Sequence, residues 1–227
     1  MSVTKEHYHN TIEAGMRKQP AEHPILFSTD MVKAILEGRK TQTRRTVKPQ
    51  PADIDEMGLG ISGDKAAIQC NELQKVIKCP YGKKGDLLWV RETFTILEPE
   101  HCMGGMDSRF VFKANTDMDS DEARKEYIER GYPYQWRPSI HMPKAAARIW
   151  LQVEDITVER VQNISGEDAI AEGIKPTPHL SKLPMQYKAI VDFGKLWRTI
   201  NGKESWNANP FVWVVKFKVL STVGRPS

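Results

Sequence analysis

"ARIWLQVEDITVERV", residues 147–161, is the strongest strand signal in the sequence. Ile149, Leu151 and Val153 occupy alternate positions, which predicts that they share one face of a β-strand. The alternation changes phase at 154–155 and then resumes. A slip of this kind is typical of a β-bulge or a sharp bend, as small barrels need. The stretch therefore predicts one long strand that bends in its middle.

Further strands and helices are predicted on both sides of this stretch. Alternation and β-branched residues predict strands at 25–28, 41–47, 86–94, 110–114 and 211–220. Apolar spacing and end signals predict helices at 29–38, 119–131, 165–174 and 186–202. Because the strands do not alternate regularly with helices, a parallel doubly wound sheet is disfavoured. The prediction is an α+β fold: a small, closed or half-closed barrel of about six strands, with helices at its margins.

The same pattern predicts one domain with two insertions and a tail at each end. Residues 24–220 form the domain, with insertions at about 48–84 and 95–135. Residues 1–23 are predicted to be a polar N-terminal tail, and 221–227 a C-terminal tail. No apolar run approaches the roughly 18–20 residues of a membrane helix, and the N-terminal stretch lacks the apolar core of a secretory signal. We therefore expect a cytoplasmic protein that does not contact a membrane.

Composition favours neither a metal nor a cofactor. Cys70, Cys79 and Cys102 do not have the spacing of a paired CxxC zinc site, and the six histidines form no HExxH motif. We expect free thiols and no cofactor. The net charge of +4 is a mild preference for anionic partners, so the clustering of charge matters more than its sum.

The most basic stretch is "EGRKTQTRRTV", residues 37–47. Residues 39–48 carry five positive charges and no acid, and residues 131–150 are also free of acids. Segregated basic patches can bind nucleic acid. Within the second patch, Trp136 beside Arg137 is the best candidate for stacking on a base. Arg91, at the end of a predicted strand, could meet a phosphate or could form a salt bridge there.

Four separated motifs occur in an order that resembles a known family. They are "GRKTQT" (38–43), "GDLLWVRE" (85–92), "EDAIAEGI" (167–174) and "WVVKF" (213–217). In this order they resemble an ASCH domain, a small barrel related to PUA RNA-binding domains. The size of the chain and "WRPSIHMPKAAARI" (136–149) resemble a longer branch of that family, often found in phages and prophages.

The resemblance implies two kinds of function. Some small ASCH proteins are amidohydrolases that remove an acyl group from the exocyclic amine of cytidine, as in N4-acetylcytidine. There a lysine and a threonine of the first motif act with a glutamate of the third, and these match Lys40, Thr43 and Glu172. Other members bind RNA without known catalysis. A metal-independent ribonuclease is a further alternative, and a modified nucleoside or RNA is the expected partner.

The amidohydrolase hypothesis gives each residue a role. Thr43 would be the nucleophile, Lys40 its base and Glu172 the acid for the departing amine. Lys40 can be a base near neutral pH only if burial or neighbouring cations lower its pKa. Arg39, Arg44 and Arg45 are the cations in question, and they are also predicted to bind substrate.

The hypothesis also makes a geometric demand. Lys40 and Thr43 are three residues apart, so a regular strand would direct them to opposite faces. The chain must therefore turn or bulge between them, and Gly38 makes an irregular entry to the strand plausible. Each residue also has an ordinary structural explanation, since cations at a helix C-terminus complement the helix dipole and threonines are common in strands.

Overall fold

The computed structural model describes residues 19–51, 67–70, 75–96, 110–115, 129, 135–175 and 184–226. Within these ranges the strands are β1 (Glu22–Leu26), β2 (Gln42–Thr46), β3 (Ala67–Cys70), β4 (Lys75–Lys78), β5 (Leu87–Arg91), β6 (Phe94–Ile96), β7 (Phe110–Phe112), β8 (Trp150–Arg160) and β9 (Phe211–Ser221). The α-helices are α1 (Thr29–Leu36), α2 (Gly166–Ala171) and α3 (Met185–Asn201). The mixed composition confirms the α+β class.

The main sheet has five strands in the order β1-β5-β8-β9-β2. β1 and β5 are parallel, and the other neighbours are antiparallel. β3 pairs with β4 and β6 with β7 in two small separate sheets. The main-chain pairing of the described residues does not join β1 to β2. A side chain does so instead, because Arg45 on β2 donates a hydrogen bond to the carbonyl oxygen of Leu26 on β1.

The bend predicted in the long strand is present. β8 pairs with β9 along its whole length, and the register shifts between Val153 and Asp155. This is the slip that the sequence pattern indicated at 154–155, and it is confirmed. Because a bulge adds a residue to one strand only, it increases the local twist and curves the sheet.

The two faces of β9 pack against different layers. Trp213, Val215 and Phe217 belong to the main core, which also contains residues of β1, α1, β5 and β8. Val212 and Val214, on the opposite face, pack against α2 and α3 in a second cluster. The sequence predicted one buried face for this strand, and the helices bury the other as well.

The helix ends follow their sequence signals. The Ser28 side chain accepts a hydrogen bond from the Met31 amide, and that of Ser165 from the Asp168 amide, as expected of N-caps. Gly38, with φ of +72°, follows the end of α1. No helix in the described ranges is long and apolar enough to cross a membrane.

Some boundaries differ from the prediction. The predicted strand at 86–94 is two strands, β5 and β6, interrupted at Glu92. β1 begins at Glu22, inside the stretch predicted to be a tail, and the predicted insertion at 48–84 contains the β3–β4 hairpin. The predicted helix at 119–131 lies outside the described residues apart from position 129.

Candidate functional site

Lys40 is positioned by the turn that connects α1 to β2. After α1 ends, the amides of Arg39 and Lys40 both donate to the carbonyl oxygen of Ala34, at 2.9 and 3.0 Å. Lys40 then forms an isolated bridge with Glu172, and β2 begins only at Gln42. Lys40 therefore precedes the regular strand that carries Thr43. The turn itself lies at 37–38, before Lys40, so the turn or bulge that the hypothesis requires between Lys40 and Thr43 stays a prediction.

Glu172 is positioned by the end of α2. It is the C-cap residue of that helix, and its amide donates to the carbonyl oxygen of Asp168 at 2.9 Å. Gly173 follows with φ of +93°, a conformation that favours glycine. A Cβ atom at this position would lie 2.9 Å from the Ala34 Cβ and 3.2 Å from the Lys40 Cβ. The turn that presents Glu172 thus packs directly on Lys40 and requires a glycine to do so.

The Lys40 side chain forms a buried ion pair with Glu172. Lys40 is only 1% exposed, and its Nζ atom donates to Glu172 Oε2 at 2.9 Å and to the Glu172 carbonyl oxygen at 2.8 Å. The ammonium also lies 5.6 Å from the centre of the Phe27 ring. Burial lowers the pKa of Lys40 below its ordinary value, and this outweighs the opposing attraction of Glu172.

Arg44 holds the other oxygen of Glu172. Its Nη1 atom lies 3.2 Å from Glu172 Oε1, while Nη2 lies 2.6 Å from Glu159 Oε1 and 2.9 Å from Asp168 Oδ2. Burial opposes the charged form of Arg44, but the carboxylates of Glu172 and Glu159 prevail and raise its pKa. Arg44 was predicted to bind substrate. In the structure its hydrogen bonds go to three protein carboxylates, so its evident effect is to orient Glu172.

The other two cations of the basic stretch differ from each other. Arg39 donates from Nη1 to the Gly173 carbonyl oxygen and from Nε to Glu37, both at 2.6 Å. It therefore fastens the turn around Lys40. Arg45 is half-buried, with its guanidinium 5.2 Å from the centre of the Phe27 ring.

A small cleft, partly open to solvent, runs beside the edge strand β2. Its polar wall includes Thr43, Arg45 and Glu172, and its apolar wall includes Phe193 and Trp197 of α3. The cleft combines apolar surface with a few polar groups, as small-molecule sites do. Lys40 does not line the cleft among the described residues and reaches it through Glu172.

The remaining predicted binding residues lie elsewhere. Arg91 donates to the carbonyl oxygen of Ile140 and lies 5.5 Å from the centre of the Trp89 ring. Arg137 pairs through its main chain with Phe94, and Lys113 lies 6.0 Å from the centre of the Trp136 ring. None of these residues lines the cleft beside β2. The structure thus brings Lys40, Thr43, Glu172, Arg44 and Arg45 together and leaves Arg91, Trp136 and Arg137 outside the group.

Several residues of the site were missed by sequence reasoning. Asp168 precedes Glu172 by four residues, a spacing that places both on one side of a helical turn. Phe193 and Trp197 have the same spacing on α3, which marks them as one apolar face. These signals were present in the sequence. Nothing local to Glu159 indicates that it meets Arg44, since their contact spans 115 residues.

The charged side chains at the site are arranged around cations of the chain itself. In the described part of the chain, no three His, Cys, Asp or Glu side chains are placed to hold a metal ion. The carboxylates of Glu159, Asp168 and Glu172 are instead bonded to Arg44. The chemistry that this arrangement offers is proton transfer along the Lys40–Glu172 hydrogen bond and anion binding in the cleft.

Comparison with known proteins gives one structural likeness. No family model matches the chain, and no curated protein matches it significantly. A crystal structure of protein EF3133 from Enterococcus faecalis V583, described under the family model DUF984, is 10% identical in sequence. The alignment covers 98% of this chain and 95% of that chain, with a TM-score of 0.38. The function must therefore be inferred from the site itself.

Proposed function

We propose that the protein is an ASCH-type amidohydrolase that removes an acyl group from the exocyclic amine of a modified cytidine such as N4-acetylcytidine. The observation that carries the proposal is the buried Lys40–Glu172 pair, joined at 2.9 Å beside a cleft that Thr43 also lines. An amide-cleaving site needs a nucleophile, a base and an acid. These three side chains supply one of each.

The buried pair suits proton transfer because of its surroundings. Low-polarity surroundings disfavour separated charges, so transfer of one proton from Lys40 to Glu172 costs less there than in water. The product of that transfer is a neutral amine and a carboxylic acid, which are a base and an acid ready together. The lowered pKa of Lys40 points in the same direction.

The proposed reaction proceeds through an acyl-enzyme. The Thr43 hydroxyl gives its proton to the basic member of the pair, and its oxygen attacks the acyl carbon of the substrate. The bond from that carbon to the exocyclic nitrogen then breaks, and the nitrogen leaves with a proton from the acidic member. Water attacks the Thr43 ester and releases the carboxylic acid, which restores the hydroxyl. The balance is one amide and one water consumed, one acid and one amine formed.

The fold proposed with this function is an ASCH/PUA-like small barrel. Three observations support it. Lys40 of the first motif pairs with Glu172 of the third, the long strand β8 is bulged, and Arg45 links the two edge strands of the main sheet. The role of Gly173 in the packing of Lys40 gives the third motif a physical reason for its glycine.

The two alternatives fit the charges less well. A non-catalytic RNA-binding module or a ribonuclease would present the cations of residues 39–48 to phosphates. Arg39 and Arg44 are instead bonded to protein oxygens. A small ligand in the cleft therefore accounts for the arrangement better than a polymer on its surface.

The test is turnover of N4-acetylcytidine by the purified protein, followed as cytidine released on a chromatographic column. Lys40→Ala, Thr43→Ala and Glu172→Ala are each expected to abolish most turnover. Thr41→Ala and Lys48→Ala are matched controls, because both residues are exposed members of the same stretch and should leave turnover unchanged.

Each other outcome has a distinct meaning. Absence of turnover with any acylated cytidine would refute the amidohydrolase. Salt-dependent binding of labelled RNA without cleavage would favour the binding module, and cleavage of that RNA would favour the ribonuclease. Full turnover in all three site variants would place the chemistry elsewhere in the protein.

A further inference from the structure

Arg45 is a half-buried cation that lacks a counter-ion among the described residues. It pairs in register with Trp213, so its side chain lies on the core-facing side of β2. Within the described ranges it forms no salt bridge, and its Nε atom is buried without a hydrogen-bond partner. Among the described residues, its side chain donates to the carbonyl oxygen of Leu26. Burial lowers the pKa of the guanidinium, which shows that its charged form is poorly solvated there.

The neighbouring arginine makes the contrast clear. Arg44 lies in the same strand and is bonded to three carboxylates. The one acid of the cleft wall, Glu172, is already bonded to both Lys40 and Arg44. Among the charged residues that line the cleft, Arg44 and Glu172 therefore offset each other, and the positive charge of Arg45 remains.

The opposite wall of the cleft carries a second unsatisfied donor. Trp197 of α3 lines the cleft and is only 4% exposed, and its indole N–H has no hydrogen-bond partner among the described residues. A buried donor without an acceptor destabilises a protein unless something supplies one. Arg45 and Trp197, which both line the cleft, thus each have a buried N–H without an acceptor among the described residues, and a bound ligand can supply acceptors.

We propose that the ligand of this cleft is an anionic acylated cytidine, in which an anionic oxygen group binds Arg45 and another acceptor receives the Trp197 indole N–H. This inference rests on the proposed hydrolase for the identity of the base, and goes beyond it by requiring a charge on the substrate. The anionic oxygen belongs either to a 5′-phosphate, as in a nucleotide, or to a carboxylate on the acyl group. Arginine suits both, since its planar fork matches the geometry of either group.

Binding is measured first, because it does not depend on catalysis. Calorimetry compares cytidine with cytidine 5′-monophosphate, neither of which can be hydrolysed at the amine. The acyl arm compares N4-acetylcytidine with N4-succinylcytidine in the Thr43→Ala background. The anionic member of at least one of these two pairs is expected to bind about 10- to 100-fold more tightly, the usual range for a hydrogen bond to a charged group. The pair that shows the preference identifies the source of the charge.

Substitutions of Arg45 and Trp197 test which of these donors causes the preference for anionic ligands. Arg45→Gln should abolish it, and Arg45→Lys, which keeps the charge and guards against loss of folding, should retain part of it. Trp197→Phe should weaken binding of the neutral and anionic members alike, with an unchanged circular dichroism spectrum. Lys218→Gln removes one exposed charge on β9 and is the matched control. It should leave the preference unchanged.

Turnover separates failure of this inference from failure of the proposed function. Hydrolysis of N4-acetylcytidine with equal kcat/KM for its 5′-monophosphate and for N4-succinylcytidine would overturn the anionic substrate while the hydrolase stands. A preference for the anionic ligands that depends on Arg45, without hydrolysis of any, would uphold the site and refute the hydrolase. Equal binding of neutral and anionic members in both pairs, or no binding of any cytidine ligand, would overturn the inference.

Discussion

The Arg148–Glu92 pair and the Lys40–Glu172 pair are both buried, yet they are built differently. Glu92 is 1% exposed, and both of its oxygens accept from one guanidinium, at 2.9 and 2.8 Å. That guanidinium lies 4.3 Å from the centre of the Phe112 ring. Lys40 instead gives Glu172 a single side-chain hydrogen bond, and Glu172 lines a cleft.

The difference separates a structural pair from one suited to chemistry. Arginine stays protonated under all ordinary conditions, and a forked contact that satisfies both oxygens fixes the pair in place. Lysine gives up its proton when burial lowers its pKa, and its partner here is within reach of a ligand. Burial of a charge is thus common to both pairs, while a titratable partner and an open cleft distinguish the site.

Substitutions in the two pairs should differ most in their effect on catalysis. Lys40→Met is expected to lower kcat/KM for the acylcytidine about 10²- to 10⁴-fold, the usual contribution of general acid–base catalysis. Arg148→Met should leave kcat/KM per folded molecule within about twofold of the parent, a change far below that contribution. Steady-state rates at matched concentrations of folded protein test this. Equal losses of kcat/KM in both variants would mean that the Lys40–Glu172 pair has no catalytic role that the Arg148–Glu92 pair lacks.

Stability should show the reverse order. Arg148→Met leaves Glu92 buried without its partner and should lower the free energy of unfolding by about 3–5 kcal/mol. Lys40→Met leaves Glu172 bonded to Arg44 and replaces a poorly solvated ammonium with an apolar chain of similar length. Its loss should be smaller than that of Arg148→Met, because Arg44 still pairs with Glu172 and no carboxylate is left buried alone. Urea denaturation measures both, and a larger loss for Lys40→Met would reverse the comparison.

Alanine substitutions at two glycines test whether the close packing of the Glu172 turn on Lys40 matters. Gly173→Ala combines a left-handed backbone with a Cβ atom 2.9 Å from that of Ala34, and should cost about 2–4 kcal/mol and lower activity. Gly38→Ala is the matched control, because its backbone is also left-handed but a Cβ there would have no neighbour within 4 Å. It should cost about 1–2 kcal/mol and spare activity. Equal effects on activity would show that the close packing on Lys40 is unimportant.

The smallest expected effect is a pH dependence of stability. Because the pKa of Lys40 is lowered in the folded state, the unfolded chain binds more protons between the folded and the unfolded pKa. The free energy of unfolding should therefore rise with pH through that window, which lies below the ordinary lysine pKa of about 10.4. Urea midpoints of the parent and Lys40→Met, compared from about pH 7 to about pH 10, isolate the contribution. A parent that loses stability relative to the variant as pH rises would contradict the sign.

Much of the fold followed from local sequence signals. The phase slip at 154–155 predicted the bulge, and end signals predicted the helices at 29–38 and 165–174, because these features depend on neighbouring residues. The second buried face of β9 was not foreseen. It depends on where α3 packs, and alternation within one strand does not reveal what covers its other face.

The site was predictable to a similar degree. The ordered motifs led to Lys40, Thr43 and Glu172, and the structure brings them to one place, although their roles are still predictions. The partners of each arginine could not be predicted, since Arg44 binds carboxylates more than a hundred residues away in the sequence. Identical neighbours in a basic stretch can therefore have opposite surroundings: Arg44 is neutralised, and Arg45 has no counter-ion in the part of the chain that the structure describes.

The proposed mechanism depends above all on the protonation of Lys40, which NMR can follow. Protein labelled with ¹³C at the lysine Cε atoms gives a resonance for Lys40 that the Lys40→Met variant identifies by its disappearance. We expect this resonance to titrate at a lower pH than those of the exposed lysines, and to shift upward in pH in Arg45→Gln, because Arg45 also disfavours the ammonium. A Lys40 resonance that titrates at or above about 10.4, the value of an ordinary lysine, would contradict the account.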